Sequence, residues 1–227
     1  SYWIYSKSLY FNWIKKDNYK DRLTAEIPRN SIMRKNKQKF TAVRPLTADF
    51  NSDTICFRQK FGGGIKQNIA KAVGIKSGIR PDIVDATAGL GRDSFILASL
   101  GSKITLIERS QIIHDLLADG MKKASGAGGK TAEIVSRMKL LHADAIELLP
   151  ELSTDVIYLD PMHPPRKTSA LVKSKMRQMR SIVGEDTDQN ELITTALKSN
   201  CSRVPLKWPA RSPLPHTIPK CSYQVMG

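Results

Sequence analysis

Cysteine and histidine are scarce in this chain. Cys56, Cys201 and Cys221 are odd in number and widely spaced, and no CxxC pair occurs. A disulfide framework is therefore not expected, and a reducing cytoplasmic setting is. His114, His142, His163 and His216 show no metal-ligand spacing, so no metal is expected. No apolar run approaches the roughly 18–20 residues of a membrane span. The aromatic start, SYWIYSKSLYFNWIKK, is interrupted by Ser, Lys and Asn and lacks the apolar centre of a secretory signal. A first residue Ser1 is what a processed, trimmed or incomplete chain would show. Acidic residues are also few: 21 Asp and Glu stand against 36 Lys and Arg, a formal charge of +15. That excess suggests a polyanionic partner, nucleic acid before an anionic membrane surface, although a basic soluble protein with neither would look the same. Apolar residues are plentiful. At 41% of 227 positions they can build a real core, which excludes global disorder.

Two regions differ in texture. Residues 1–57 mix aromatic and basic residues with short β-like pieces such as KFTAVRPLTADF and show no sustained period. They are expected to form a small, β-rich N-terminal appendage to a main domain over 58–227. RQKFGGG (Arg58 to Gly64) is expected to be a flexible basic elbow, and IKQNIAKAVGI a helix ending at Gly74. From Pro81 onward, strand and helix signals alternate. DIVDAT, KITLIER, MKLLHAD and DVIYLDP are expected strands. RDSFILASLG, closed by Gly101, and SQIIHDLLADGMKKA, with Ser110 as N-cap, are expected helices, followed by a GAGG loop and a short AIELLPEL helix. This alternation predicts an α/β fold, a parallel sheet with helices on both faces. RVPLKWP and SYQVM are two late strand candidates, the first confined by Pro205 to an edge or a bulge.

DATAGLGRD (Asp85 to Asp93) falls between a strand and a helix. Gly89 and Gly91 let a backbone approach a ligand, and the following helix start offers free N–H groups. A tight β–α turn would use the same residues. Glu108 ends the next strand, where dinucleotide folds place a carboxylate on ribose hydroxyls, unless it is only a solvated strand terminus. Three features separate a nicotinamide cofactor from S-adenosylmethionine. The third glycine of GxGxxG is replaced by Ser94, Asp85 stands just ahead of the loop, and no phosphate-binding lysine follows. A pyrophosphate would find a carboxylate-flanked loop unfavourable, whereas a sulfonium with an ammonium group would be attracted. Methyl transfer is the expectation. Asp144, after His142, could accept a hydrogen bond from an adenine amino group or cap the AIELL helix, or both.

The stretch LDPMHPP sets Asp160 at the mouth of the fourth strand, followed by Pro161 and His163. An exocyclic amine such as N2 of guanine is a poor nucleophile, because its lone pair is delocalised into the ring. A carboxylate and a backbone carbonyl that accept its two N–H bonds beside the methyl donor would help, and proline stiffens that carbonyl. Alignment would then supply most of the acceleration. The alternative is a proline-rich exit loop with Asp160 as a cap. RKTSALVKSKMRQMR follows, with Arg166, Lys167, Lys173, Lys175, Arg177 and Arg180. It suits phosphate contacts that position RNA, though such runs are commonly solvated helix faces.

Taken together, KFGGG…AKAVGIK, PDIVDATAGLGRDSFILASLG, LIER, YLDPM and KTSALVKSKMR…VG resemble the RsmJ (YhiQ) family of bacterial methyltransferases. The resemblance is good from Leu46 to Gly184 and looser in the tail. It implies a class I S-adenosylmethionine-dependent enzyme that methylates N2 of a guanine in 16S ribosomal RNA or the small ribosomal subunit. It also implies a Rossmann-like, seven-stranded, mostly parallel sheet with an antiparallel last strand. Implied cofactor contacts are Arg92, Asp93, Glu108, Arg109, Asp144, Ala145 and Asp160. The family has Phe where this chain has His163, a residue that can stack on a base less extensively and can titrate. Two other readings stay open: an RNA-binding protein without catalysis on the same scaffold, and a nicotinamide-dependent oxidoreductase. The oligomeric state is left open.

Overall fold

Ile83, Val84 and Asp85 are all buried, and so are Val156 to Leu159. Strands buried on both faces belong to a parallel sheet covered by helices. The computed structural model describes residues 3–6, 46–161, 179, 188–208, 215 and 218, and it has that architecture. Its strands are β1 (Trp3–Ser6), β2 (Ile83–Asp85), β3 (Ile104–Glu108), β4 (Met138–His142), β5 (Val156–Tyr158) and β6 (Arg203–Leu206). They are arranged β1-β6-β5-β2-β3-β4, and every pairing is parallel. β2 stands between β3 and β5, in register Asp85↔Leu106 and Asp85↔Tyr158. The chain order reverses there, and in open α/β sheets such a reversal opens a crevice at the carboxyl ends of the strands.

Alternation along the strands splits the core in two. Ile83, Ile104, Leu106, Val156 and Tyr158 point into one cluster with Phe50, Ile69, Phe95, Ile113 and Leu117. Val84, Ile107, Ile157, Leu159, Val204 and Leu206 point into the other with Leu149 and Ile193. The first is covered by α1 (Asp53–Phe61), α2 (Asn68–Val73), α3 (Arg92–Ser99), α4 (Gln111–Gly126) and α5 (Gly129–Val135). The second is covered by α6 (Ala145–Leu148) and α7 (Gln189–Lys198). Each large apolar side chain so buried contributes roughly 1.5–3 kcal/mol.

Several sequence expectations need correction. The sheet shows six strands among the described residues rather than seven; SYQVM, the candidate antiparallel strand, lies outside them. Arg58 to Phe61 is the last part of α1 rather than an elbow, and the glycine turn starts only at Gly62. GAGG is not a plain loop, because Gly126 ends α4 and Gly129 begins α5. Pro205 does not put its strand at an edge, for β6 lies between β1 and β5. The proline interrupts the ladder instead. Val156 pairs with Arg203, and contact resumes at a Leu159–Leu206 bridge. Across that bridge Leu159 N–H donates to the Pro205 carbonyl (2.9 Å) and Lys207 N–H to the Leu159 carbonyl (2.8 Å). Leu46, Ala48, Phe50 and Ile55 lie in the first core cluster.

Candidate active site

The loop after β2 turns sharply into α3, and two glycines permit it. Gly89 and Gly91 have φ of 53° and 68°, a left-handed conformation that side chains rarely adopt. A Cβ at Gly91 would meet Leu117 Cδ1 at 2.8 Å, and one at Gly89 would meet Met179 Cε at 2.6 Å. Glu108 joins this loop to the one after β3. Its carboxylate accepts the Gly89 N–H (2.9 Å) and the Ser110 N–H (2.8 Å). Ser110 sits at the N-cap position of α4, but its side chain makes no cap hydrogen bond.

Asp85 is buried at the end of β2. It accepts the Thr87 N–H (3.1 Å) and the Ser94 hydroxyl (2.5 Å). Ser94, the residue that breaks a GxGxxG pattern, is therefore the hydroxyl that holds Asp85. Burial pushes the Asp85 carboxyl up to about 7; the Ser94 and Thr87 hydrogen bonds oppose this, and the Asp93 and Asp160 carboxylates add to it.

Asp160 follows β5 and is held at both ends. Its N–H donates to Thr87 Oγ1 (2.7 Å), and its Oδ2 accepts from Lys207 Nζ at 2.6 Å. The same ammonium reaches Asp93 Oδ2 at 3.1 Å. Asp93 also takes Arg58 Nη1 (2.5 Å) and the Tyr158 hydroxyl (2.8 Å). Burial alone would raise the Asp93 carboxyl, but Lys207, Arg58 and these hydrogen bonds hold it well below the usual carboxylate range. Burial would lower the Lys207 ammonium, yet the Asp93 and Asp160 carboxylates hold it above the ordinary lysine range. Burial, with the Asp93 charge next, raises the Tyr158 phenol well above its normal value.

Arg109 extends from β3 to Asp188, before α7, and lies 3.8 Å from Asp144. The Arg109 hydrogen bond is the main cause that lowers the Asp188 carboxyl. Asp144 accepts the Ile146 N–H at 2.8 Å, so the expected cap of α6 is present, and Ala145 is buried behind it. His142 Nε2 lies 3.1 Å from the Arg109 carbonyl, as suits a satisfied strand residue.

Most of the sequence-predicted residues thus meet at the carboxyl ends of four adjacent strands. Glu108 is bonded to Gly89, Asp85 and Asp160 are joined through Thr87, Gly91 completes the turn between them, Pro161 is buried beside Asp160, and Arg92 is exposed at the first turn of α3. Arg109, Asp144 and Ala145 form a neighbouring group at the ends of β3 and β4. His163 and the basic residues Arg166, Lys167, Lys173, Lys175 and Arg177 lie outside the described residues. Arg58, Thr87, Tyr158 and Lys207 were not expected from sequence. Of these only Lys207 carried a signal, as a charged residue closing a strand candidate. Among the described residues no group of His, Cys, Asp and Glu could hold a metal, and no helix is long and apolar enough to cross a membrane.

A parallel sheet with a buried glycine turn after its central strand and carboxylates closing the neighbouring ones defines a class, the Rossmann-like methyltransferases. The donor set fits S-adenosylmethionine: the Glu108 carboxylate, an acceptor of the kind a ribose diol needs, closes β3 beside the glycine turn, and acidic side chains rather than a lysine flank that turn. A family model described as "Putative SAM-dependent methyltransferase" matches residues 9–225. The chain is 50% identical over 182 residues to a protein of Brucella anthropi named Ribosomal RNA small subunit methyltransferase J, covering 80% of this chain and 89% of that one. A protein of Agrobacterium fabrum with the same name is 52% identical over 183 residues, covering 80% and 88%. A solved S-adenosylmethionine-dependent methyltransferase from Neisseria gonorrhoeae aligns at 37% identity and a TM-score of 0.49, over 66% of this chain and 57% of that one. The chain belongs to the small-subunit ribosomal RNA methyltransferase J family of S-adenosylmethionine-dependent methyltransferases.

Proposed function

We propose that this protein transfers a methyl group from S-adenosylmethionine to N2 of a guanine in small-subunit ribosomal RNA, in the cytoplasm. The observation that carries the reading is Asp160, fixed by Thr87 and Lys207 at the strand ends beside the Gly89–Gly91 turn and Glu108. When bound, the cofactor supplies an electrophilic methyl on a sulfonium. Gly89 and Gly91 let the loop close on it, Glu108 receives its ribose hydroxyls, and Asp144 and Ala145 flank the adenine. Arg92 and Arg109 border the same pocket, and Asp93 acts through the residues it anchors. Asp160 and the adjoining backbone carbonyl, stiffened by Pro161, accept the two N–H bonds of the guanine amine and orient its nitrogen. With the cofactor bound, N2 would take its methyl group and release the sulfur as a neutral thioether, and Asp160 is the carboxylate that would receive the proton N2 sheds. His163, three positions after Asp160 in the sequence, would supply the ring that stacks on the base.

An RNA partner is supported by the formal charge of +15 and by a surface on α1. Phe57 and Phe61 are 57% and 70% exposed, with ring centroids 5.1 Å apart, and exposed Lys60 and Lys66 stand beside them. Aromatic rings among basic side chains suit stacked bases and phosphates. Arg58 of the same helix reaches Asp93, so this surface adjoins the site. The basic residues Arg166, Lys167, Lys173, Lys175 and Arg177 would add phosphate contacts. We further take the main domain to begin at Leu46, with β1 joining its sheet from the N-terminal region. The test is transfer of a labelled methyl from S-adenosylmethionine to small-subunit RNA purified without the modification. Incorporation by the wild type and loss with Asp160→Ala is expected; full activity of the variant would remove Asp160 from the chemistry.

A further inference from the structure

We propose that Lys207 is a positioning residue of the transfer: its ammonium, bridging Asp160 and Asp93, locks the Asp160 carboxylate in the orientation that receives the target amine. The inference rests on the methyltransferase reading above and adds to it the residue that follows β6.

Backbone and side chain both place Lys207 where it can do this. The bridge beyond Pro205 ties Lys207 N–H to the Leu159 carbonyl (2.8 Å), one residue before Asp160. The side chain then spans two carboxylates, 2.6 Å to Asp160 and 3.1 Å to Asp93, and is about one-quarter exposed. The far carboxylate is itself immobilised, because Arg58 from α1 and Tyr158 from β5 hold Asp93. The ammonium therefore rests on a fixed base and transmits that rigidity to Asp160, whose N–H is already held by Thr87. A carboxylate that must accept a hydrogen bond from a nascent nucleophile gains from being held in place, since small misplacements cost large factors in rate.

Lys207 also separates like charges. The groups facing this position are Asp93 and its partner Arg58 from one side, Tyr158 and Asp160 from β5 and its exit, and Asp85 from β2. Without the ammonium, the Asp93 and Asp160 charges lose the cation they share, and their repulsion favours a proton on Asp160, the carboxylate that Arg58 and Tyr158 do not hold. A protonated Asp160 donates where it should accept. Loss of Lys207 thus leaves a mark in the pH profile that loss of packing alone would not.

The experiment compares wild type, Lys207→Met and Lys207→Arg in methyl transfer to unmodified small-subunit RNA from pH 5.5 to 9. Cofactor affinity by calorimetry and the unfolding midpoint are measured on the same samples. Lys207→Met should lower kcat by about 10–100-fold, leave the affinity for S-adenosylmethionine within about threefold, and add a rising limb between acid and neutral pH. Lys207→Arg should recover most of kcat and the wild-type profile. An active wild type with a Met variant of equal kcat and unchanged profile overturns the proposal. So does equal loss in both variants without a new limb. Should Lys207→Met fail to fold, the Arg variant decides alone: retained kcat and profile support the bridge, and their loss despite normal cofactor binding overturns it. A wild type that binds cofactor but never methylates RNA refutes the broader reading instead.

Discussion

The buried Asp85 carboxyl should make the wild type lose stability as pH rises towards neutrality, and Asp85→Asn should abolish that loss. Its pKa is raised from 3.8 to about 7 by burial. Between those values the folded protein keeps a proton that the unfolded chain has released, so this group lowers folding stability as pH increases and levels off above about 7. About three units at 1.36 kcal/mol each set a ceiling of about 4 kcal/mol. Asp93 acts with the opposite sign. Its depressed pKa contributes stability that is present above the unfolded value and lost in acid, mostly below about pH 4.5 and so outside the range in which Asp85 acts. Asparagine can still accept the Thr87 N–H and can donate to Ser94 Oγ, which keeps the local hydrogen bonds. Urea unfolding of both proteins at half-unit steps from pH 4.5 to 8 should show the Asn variant gaining up to about 4 kcal/mol over the wild type across the range. A difference that stays flat would refute the burial argument. The functional counterpart is a weaker hold on the cationic cofactor, so the same variant should bind S-adenosylmethionine about tenfold less tightly at pH 8.

Three further outcomes follow from individual contacts. Glu108→Ala removes the acceptor of the Gly89 and Ser110 N–H groups and should weaken cofactor binding by at least about tenfold in calorimetry. Thr87→Val keeps the volume but deletes the bond to the Asp160 N–H, so kcat should fall about tenfold while cofactor affinity holds. Phe61→Ala removes the more exposed ring of the α1 pair, and should raise KM for RNA by about 3–10-fold without changing cofactor affinity.

The central sheet was readable from the sequence because its signals are local. Apolar runs ending in acids marked β2 and β3, and Gly74 and Gly101 marked helix ends at which the backbone indeed turns left-handed, with φ of 85° and 102°. The acids themselves stood out for the same reason: Asp85, Glu108 and Asp160 close or follow buried strands. Elements without an apolar stripe were not readable. DTICFRQKF buries only Ile55, so α1 held no helical period to find, and Arg58 was taken for part of an elbow. Helix α5 opens on Gly129, a residue that reads as loop. The partnership of Lys207 with Asp160 joins residues 47 positions apart and depends on β6 lying parallel to β5, which no local pattern encodes. Pro205 is compatible with an edge or a bulge, because a missing N–H marks where a ladder breaks but not that a Leu159–Leu206 bridge restores it one step later.

The central claim is transfer to a guanine amine by a site organised around Asp160. Its most direct measurement uses small-subunit RNA lacking the modification, S-adenosylmethionine with an isotopically labelled methyl, and mass spectrometry of the digested nucleosides. The wild type should yield labelled N2-methylguanosine as its major product, and Asp160→Ala, with cofactor binding intact, should yield at most about one-hundredth of it. Label on another nucleoside or another atom of guanine, or an undiminished yield from Asp160→Ala, would contradict the account.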